Sequence, residues 1–235
     1  MKKTQIITSL FFILISSITF AQNSEEQARK VVETGIKAMG GKDFLKSINT
    51  LYTDSKTVMD GRDVNWVIKE MLPNKGSFEI VYQKRIVYKS WYDGNIGYEL
   101  INGTKQKADP EQFKDKKYKK NIFNGLDYLD RNLYTLEYLG EEKVGELNCH
   151  KIKTKLANGK VENSYYDKAK GFLIKSEIIS NPEKDSFTVT LYEDYQKFGQ
   201  LTHFTVMKFL DNGNTQIAKI IDLKYNTDIS EKDFE

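Results

Sequence analysis

SWYDGNIGYELI, residues 90–101, decides the fold class. Asp93-Gly94 lies between aromatic-rich runs, and a tight turn between strands needs positive φ, which glycine adopts without strain. The stretch predicts an antiparallel hairpin with residues 85–92 and 97–101 as its arms. Alternation in the first arm is ambiguous. Val87 and Trp91 compete with Ile86, Tyr88 and Tyr92, so both faces of this strand are expected to be partly covered.

Outward from the hairpin the period stays at two, the mark of strands with one buried face. Upstream lie runs 51–59, 63–71 and 77–83. Val64, Trp66 and Ile68 share one face of the second run, and Phe78, Ile80 and Tyr82 one face of the third. Downstream, Tyr134, Leu136 and Tyr138 alternate in residues 133–139, and 147–155 and 161–167 flank Asn158-Gly159. Runs 172–179, 187–195, 202–210 and 216–225 complete the chain. Short successive strands with regular turn signals favour one antiparallel, strongly curved sheet over any βαβ arrangement. A barrel or half-barrel of about ten or eleven strands is expected.

Two segments break the strand pattern. In residues 25–39, Ala28, Val31, Val32, Gly35, Ile36 and Met39 form one helical stripe, with Ser24 placed to cap it and Gly40-Gly41 to stop it. A short helical turn over 42–48 follows. The stripe needs a broad apolar partner, and the sheet is the one available. The second break is residues 110–131, read as one or two helices interrupted near Gly125. Asp109 is a suitable N-cap and Pro110 a suitable first helical residue, while Ile122, Leu126 and Leu129, with Phe123 beside them, give an apolar face. The run KDKKYKK (114–120) is read as a solvated face, with a lipid-headgroup or partner patch as the alternative.

Residues 1–21 read as a cleaved secretory signal: Lys2 and Lys3, an apolar run over 6–18, then Thr19-Phe20-Ala21. The run is short for a membrane span. Residues 22–235 then form a single domain, expected to be soluble, exported and monomeric. Without Lys2 and Lys3, the excess of Lys+Arg over Asp+Glu falls from three to one, which gives no electrostatic case for nucleic acid. The single cysteine, Cys149, excludes an internal disulfide and reads as a small buried hydrophobe. Two histidines, His150 and His203, and scattered carboxylates offer no metal-ligand spacing and no acid–base pair. No phosphate-binding or nucleophile motif occurs. The expectation is a binding protein without cofactor or metal, and not an enzyme.

Several stretches in fixed order carry a resemblance: AMGGKDFLKSINTL (38–51), YDGNIGYEL (92–100), ADPEQF (108–113), NCHKIKTKLANGKVENSYYDKAKGFLIKSE (148–177) and IDLKYNTDISEKDFE (221–235). Together they resemble the LolA-like outer-membrane lipoprotein-sorting proteins, over essentially all of residues 22–235. The resemblance implies an incomplete antiparallel β-barrel of α+β class, with the N-terminal helix and the central insertion packed across its opening. It also implies a periplasmic carrier that shields lipoprotein acyl chains on the way to the outer membrane, between an inner-membrane donor and an outer-membrane acceptor. The expected ligand wall is Val64, Trp66, Ile68, Phe78, Ile80, Tyr82, Trp91, Tyr98, Leu100, Tyr134 and Leu136. The expected lid residues are Ile122, Phe123, Leu126 and Leu129. Better-known carriers latch the lid with an arginine on an early strand, and neither Arg62 nor Arg85 is assigned that role. Two alternatives stay open: a module for another hydrophobic ligand (fatty acid, isoprenoid or quinone), and an interaction module with a filled barrel.

Overall fold

A computed structural model describes residues 23–101, 103–181, 186–211, 213–227 and 229–235. The signal-peptide reading falls on residues outside this set. Among the described residues, thirteen strands form one antiparallel sheet: β1 (Thr50–Met59), β2 (Arg62–Met71), β3 (Lys75–Tyr82), β4 (Arg85–Tyr92), β5 (Gly97–Ile101), β6 (Thr104–Lys107), β7 (Tyr134–Val144), β8 (Leu147–Leu156), β9 (Val161–Asp167), β10 (Leu173–Asn181), β11 (Ser186–Phe198), β12 (Leu201–Asp211) and β13 (Asn214–Tyr225). The helices are α1 (residues 23–39), α2 (Lys42–Lys46) and α3 (Asn124–Tyr128), with single 3-10 turns at Pro110–Phe113, Lys116–Tyr118 and Glu231–Phe234.

The strand order is β6-β5-β4-β3-β2-β1-β13-β12-β11-β10-β9-β8-β7. Each half is a meander of adjacent hairpins, and the two halves join where the first strand pairs with the last, Leu51 opposite Tyr225 and Thr53 opposite Leu223. The sheet stays open, with β6 and β7 at its two edges, the expected incomplete barrel. One consequence places the insertion. The segment linking β6 to β7 must travel from one edge of the sheet to the other, so it crosses the opening.

Cross-strand register fixes which side chains share a face. Thr53, Ile68, Phe78 and Ser90 are in line, as are Ser55, Trp66, Ile80 and Tyr88. On the other half Tyr138, Ile152, Ser164 and Ser176 are in line. This is the inner face, and α1, α2 and the insertion lie on it. Ala28, Val32 and Ile36 of α1 pack with Leu45, Ile48, Leu126, Leu136, Ile152, Leu201 and Leu223 into one core. Ile48, Ile152 and Leu201 have no exposed surface, and each such side chain contributes about 1.5–3 kcal/mol. Glycines let the layers approach. A Cβ on Gly35 would stand 2.9 Å from the Tyr166 ring, and one on Gly97 would collide with the Phe113 ring.

Several expectations change. Thirteen strands replace ten or eleven. β6 reads TKQK, is exposed throughout and has no apolar residue to alternate. The hairpin of β4 and β5 lies next to an edge of the sheet, and its loop runs over four residues, closed by Asp93 N–H donating to the Ile96 carbonyl (3.1 Å). Residues 110–131 hold two 3-10 turns and one short α-helix, and Gly125 sits inside that helix instead of breaking it. Pro110 and the Asp109 cap behave as expected, Asp109 Oδ1 accepting from Glu111 N–H at 3.0 Å. Ser24 does not act as a terminal cap. Its hydroxyl bridges α1 to β7, donating to the Tyr138 carbonyl (3.2 Å) and accepting from Tyr138 N–H (2.9 Å).

Candidate ligand-binding site

The helical layer does not fill the space above the sheet. Between α1, the insertion and the inner face of β9–β12 lies a cavity of about 420 Å³, within the size range of small-molecule sites. Val32, Ile36 and Met39 of α1 and Ile122, Phe123 and Gly125 of the insertion form one side. Tyr166, Leu173, Ser176, Ile178, Thr190, Tyr192 and His203 form the other. These sheet residues reach the cavity because alternate positions of adjacent strands point the same way.

The polar groups within the wall are few and mostly satisfied. Tyr192 Oη and Ser176 Oγ are 3.1 Å apart, and burial pushes the Tyr192 phenol up. His203 Nδ1 lies 2.8 Å from the Phe204 carbonyl. A carbonyl only accepts, so Nδ1 carries the proton. The ring faces Phe123 at 6.4 Å, and burial pushes its pKa down from 6.5 to about 4. Between these values the unfolded chain binds the proton that the folded chain refuses, so this stability is present above pH 6.5 and is lost as pH falls towards 4. We expect His203→Leu to remove up to about 3 kcal/mol of that pH dependence, read as a flatter denaturant-midpoint profile between pH 4 and 6.5. Parallel profiles for the two proteins would refute it.

Glu162 marks where the cavity changes character. Its carboxylate accepts from Ser164 Oγ (3.2 Å) and Tyr128 Oη (3.4 Å), and burial pushes it up. On its far side opens a polar cleft of about 280 Å³ lined by Asp115, Lys116, Lys119, Asp127 and Lys160. Glu162, Lys119, Asn124, Tyr128 and Lys160 border both spaces. Burial pushes the Lys116 ammonium down, and Lys119 pairs with Glu70. The basic run therefore does not form one solvated face: Lys116 and Lys119 turn inward, while Lys114 and Lys120 pair locally with Glu111 and Asp130.

The insertion is tied down along its path. Phe113 stacks on Tyr92 of β4 (5.7 Å). Asp115 accepts from Asn158 (2.6 Å) and Lys160 (2.7 Å) at the β8–β9 turn. Burial opposes ionisation of Asp115, yet these bonds hold its carboxyl below the usual range. At the far end Arg29 of α1 donates from Nη1 to the Leu129 carbonyl (3.0 Å) and from Nε and Nη2 to Glu25 (2.9 and 2.7 Å). Neither Arg62 nor Arg85 touches the insertion. Arg62 lies over the Tyr82 ring at 5.8 Å.

The expected wall residues fall into three groups. Val64, Trp66, Ile68, Phe78, Ile80 and Tyr82 share the inner face, but towards the far rim, outside the cavity. There Trp66 meets Phe78 and Phe209 at 5.7 Å each. Tyr134 and Leu136 lie beneath the helices, Leu136 in the core and Tyr134 against Tyr128 at 4.9 Å. Trp91, Tyr98 and Leu100 are on the opposite, outer face, in line with Ser77 and Lys89. There the C-terminal turn is held by Lys69 on Asp233 (2.7 Å) and by Lys89 on the Asp233 carbonyl (3.1 Å). Of the expected lid residues, Ile122 and Phe123 line the cavity, and Leu126 and Leu129 pack into the core. The strands β9–β12 are expected from the sequence, but not as cavity wall, because their inward positions include Glu162, Ser176 and Thr190, which carry no hydrophobic signal.

Solved structures share this architecture. A lipoprotein-sorting protein domain from Vibrio parahaemolyticus superposes with a TM-score of 0.61 at 13% identity, over 90% of this chain and 97% of that one. A LolA superfamily protein from Nitrosomonas europaea gives 0.60 at 11%, over 88% and 97%. A DUF1329 family protein from Desulfovibrio piger gives 0.57 at 13%, over 88% and 97%. No family model and no curated protein matches the chain. The shared property is the fold, and this protein has the LolA-like fold.

Proposed function

We propose, on the premise of a LolA-like fold, that this protein is a periplasmic carrier that takes the acyl chain of a lipid-modified protein into the cavity between α1, the insertion and β9–β12. The observation that carries this reading is a cavity of about 420 Å³ with aliphatic walls on one side, closed by a segment that topology forces across the opening. Each methylene withdrawn from water is worth about 0.8 kcal/mol, so a partly inserted chain is held firmly. Leu126 and Leu129 anchor the later part of the cover in the core, while its earlier part is fixed by the Phe113 stacking and the Asp115 bonds, contacts that can break for release. No described helix is long and apolar enough to cross a membrane.

Glu162 and the adjoining polar cleft favour a second reading on the same site: a free amphipathic lipid whose head rests at the border and whose tail enters the cavity. Titration with a fluorescent acyl probe tests the binding that both readings share. Mass spectrometry of lipid extracted from purified protein, set beside capture of an acylated peptide, separates them. Absence of probe binding and of co-purified lipid would remove both.

A further inference from the structure

At the far rim of the sheet, one corner combines exposed aliphatic side chains with unpaired positive charge. The β3–β4 hairpin ends in Gln83-Lys84-Arg85-Ile86-Val87. Ile86 is 48% exposed and Val87 56%, although large apolar side chains of a folded domain are mostly covered. For Val87 the exposure has a local cause. The register slips between Ile80 and Val81, so Val87 is an extra residue with no partner on β3. Across the neighbouring strands, Ile101 at the end of β5 is 41% exposed. Lys84 and Arg85 lie at the tip itself, Lys105 stands opposite Leu100 beside Ile101, and Lys107 follows along β6 opposite Tyr98, all exposed.

None of the four cations forms an ion pair with a described residue. Lys105 instead lies over the Tyr98 ring, 4.3 Å from its centroid. Glu99 of β5 accepts from Tyr88 Oη at 3.1 Å and lies in line with Ser90 on the inner face. The tip is thus a small basic and aliphatic wedge backed by the aromatic rings of Tyr98 and Trp91, which stack at 5.5 Å.

We propose that this corner, the β3–β4 tip with the ends of β5 and β6, docks the protein on an anionic lipid bilayer. Aliphatic side chains enter the interface while the cations meet lipid phosphates. Charge complementarity selects this occupant. A second copy would bring the same positive charges together, and lysines along the edge strand β6 oppose strand addition. The inference does not rest on the contents of the cavity, because none of these residues lines it.

Flotation with phosphatidylcholine vesicles, with and without phosphatidylglycerol, tests it. The full protein should float with the anionic vesicles and stay behind with the neutral ones, and added salt should weaken the association. Lys84→Gln with Arg85→Gln should lower vesicle affinity about 25-fold, at about fivefold per cation. Ile86→Ser with Val87→Ser should abolish the part that survives high salt. All variants should keep their thermal midpoint and their acyl-probe affinity in vesicle-free buffer, which separates failure here from failure of the carrier reading. No flotation of the wild-type protein, or equal flotation of wild type and variants, would overturn the proposal. So would a dimer dissolved by the Ile86/Val87 change, since it would assign the patch to a second copy.

Discussion

Gly125→Leu should weaken acyl-chain binding at least about tenfold while leaving the protein as stable as before, or more so. Gly125 sits inside α3 and lines the cavity. A Cβ built there meets Ile36 Cγ1 at 3.5 Å and Val32 Cγ1 at 3.9 Å, ordinary contact with two residues that themselves border the cavity. The position therefore accepts a side chain, and a leucine would occupy space that a ligand needs. Replacing glycine inside a helix gains up to about 1 kcal/mol of helix propensity, and the added apolar surface is buried. A loss of probe affinity of at least about tenfold is expected, equal to excluding roughly two methylenes at 0.8 kcal/mol each. Most substitutions that impair binding also destabilise, so the opposite signs are diagnostic. Unchanged affinity in a folded Gly125→Leu protein would place the ligand elsewhere.

Arg29→Met should cost about 2–4 kcal/mol and speed ligand release. Arg29 is 6% exposed and joins the start of α1 to the end of the insertion through its bond to the Leu129 carbonyl. Methionine keeps the apolar stem but leaves that carbonyl, and part of the Glu25 carboxylate, without a donor. Glu25 would keep Arg131, at 2.9 Å, so the loss falls on the contact with the insertion. Arg131→Met is the control. Arg131 is exposed, its pairs with Glu25 and Glu26 are surface ion pairs, and its removal should cost under about 1 kcal/mol. Urea midpoints at constant m-value give the stability change, and stopped-flow dissociation of the probe gives the release rate. Equal effects at the two arginines would mean that Arg29 is not a specific tie to the insertion.

What the residues alone determined is whatever depends on near neighbours. Asp93-Gly94, Asn158-Gly159 and the alternation of runs such as Val64-Trp66-Ile68 establish a turn-linked antiparallel meander, because turn chemistry and side-chain period are local properties. The apolar stripe from Ala28 to Met39 establishes α1 for the same reason, and the Asp109-Pro110 start of the insertion follows from capping and a fixed φ. Local reading failed where a strand has no apolar face, as in TKQK, and where a helix is too short to show a period, as in Asn124–Tyr128.

The site itself was decided by tertiary structure. Alternation tells that Trp66 and Val67 point to opposite faces, but not which face is inner. That depends on where α1 and the insertion come to lie, and so on the pairing of β1 with β13 across most of the sequence. Trp91 and Tyr98 look like ligand wall in sequence, yet register carries them to the outer face beneath the C-terminal turn. Glu162 and His203 look incidental, yet both enter the cavity wall, where burial pushes the Glu162 pKa up and the His203 pKa down. Long-range register, not composition, turned a meander with two helical interruptions into an open half-barrel with a covered cavity.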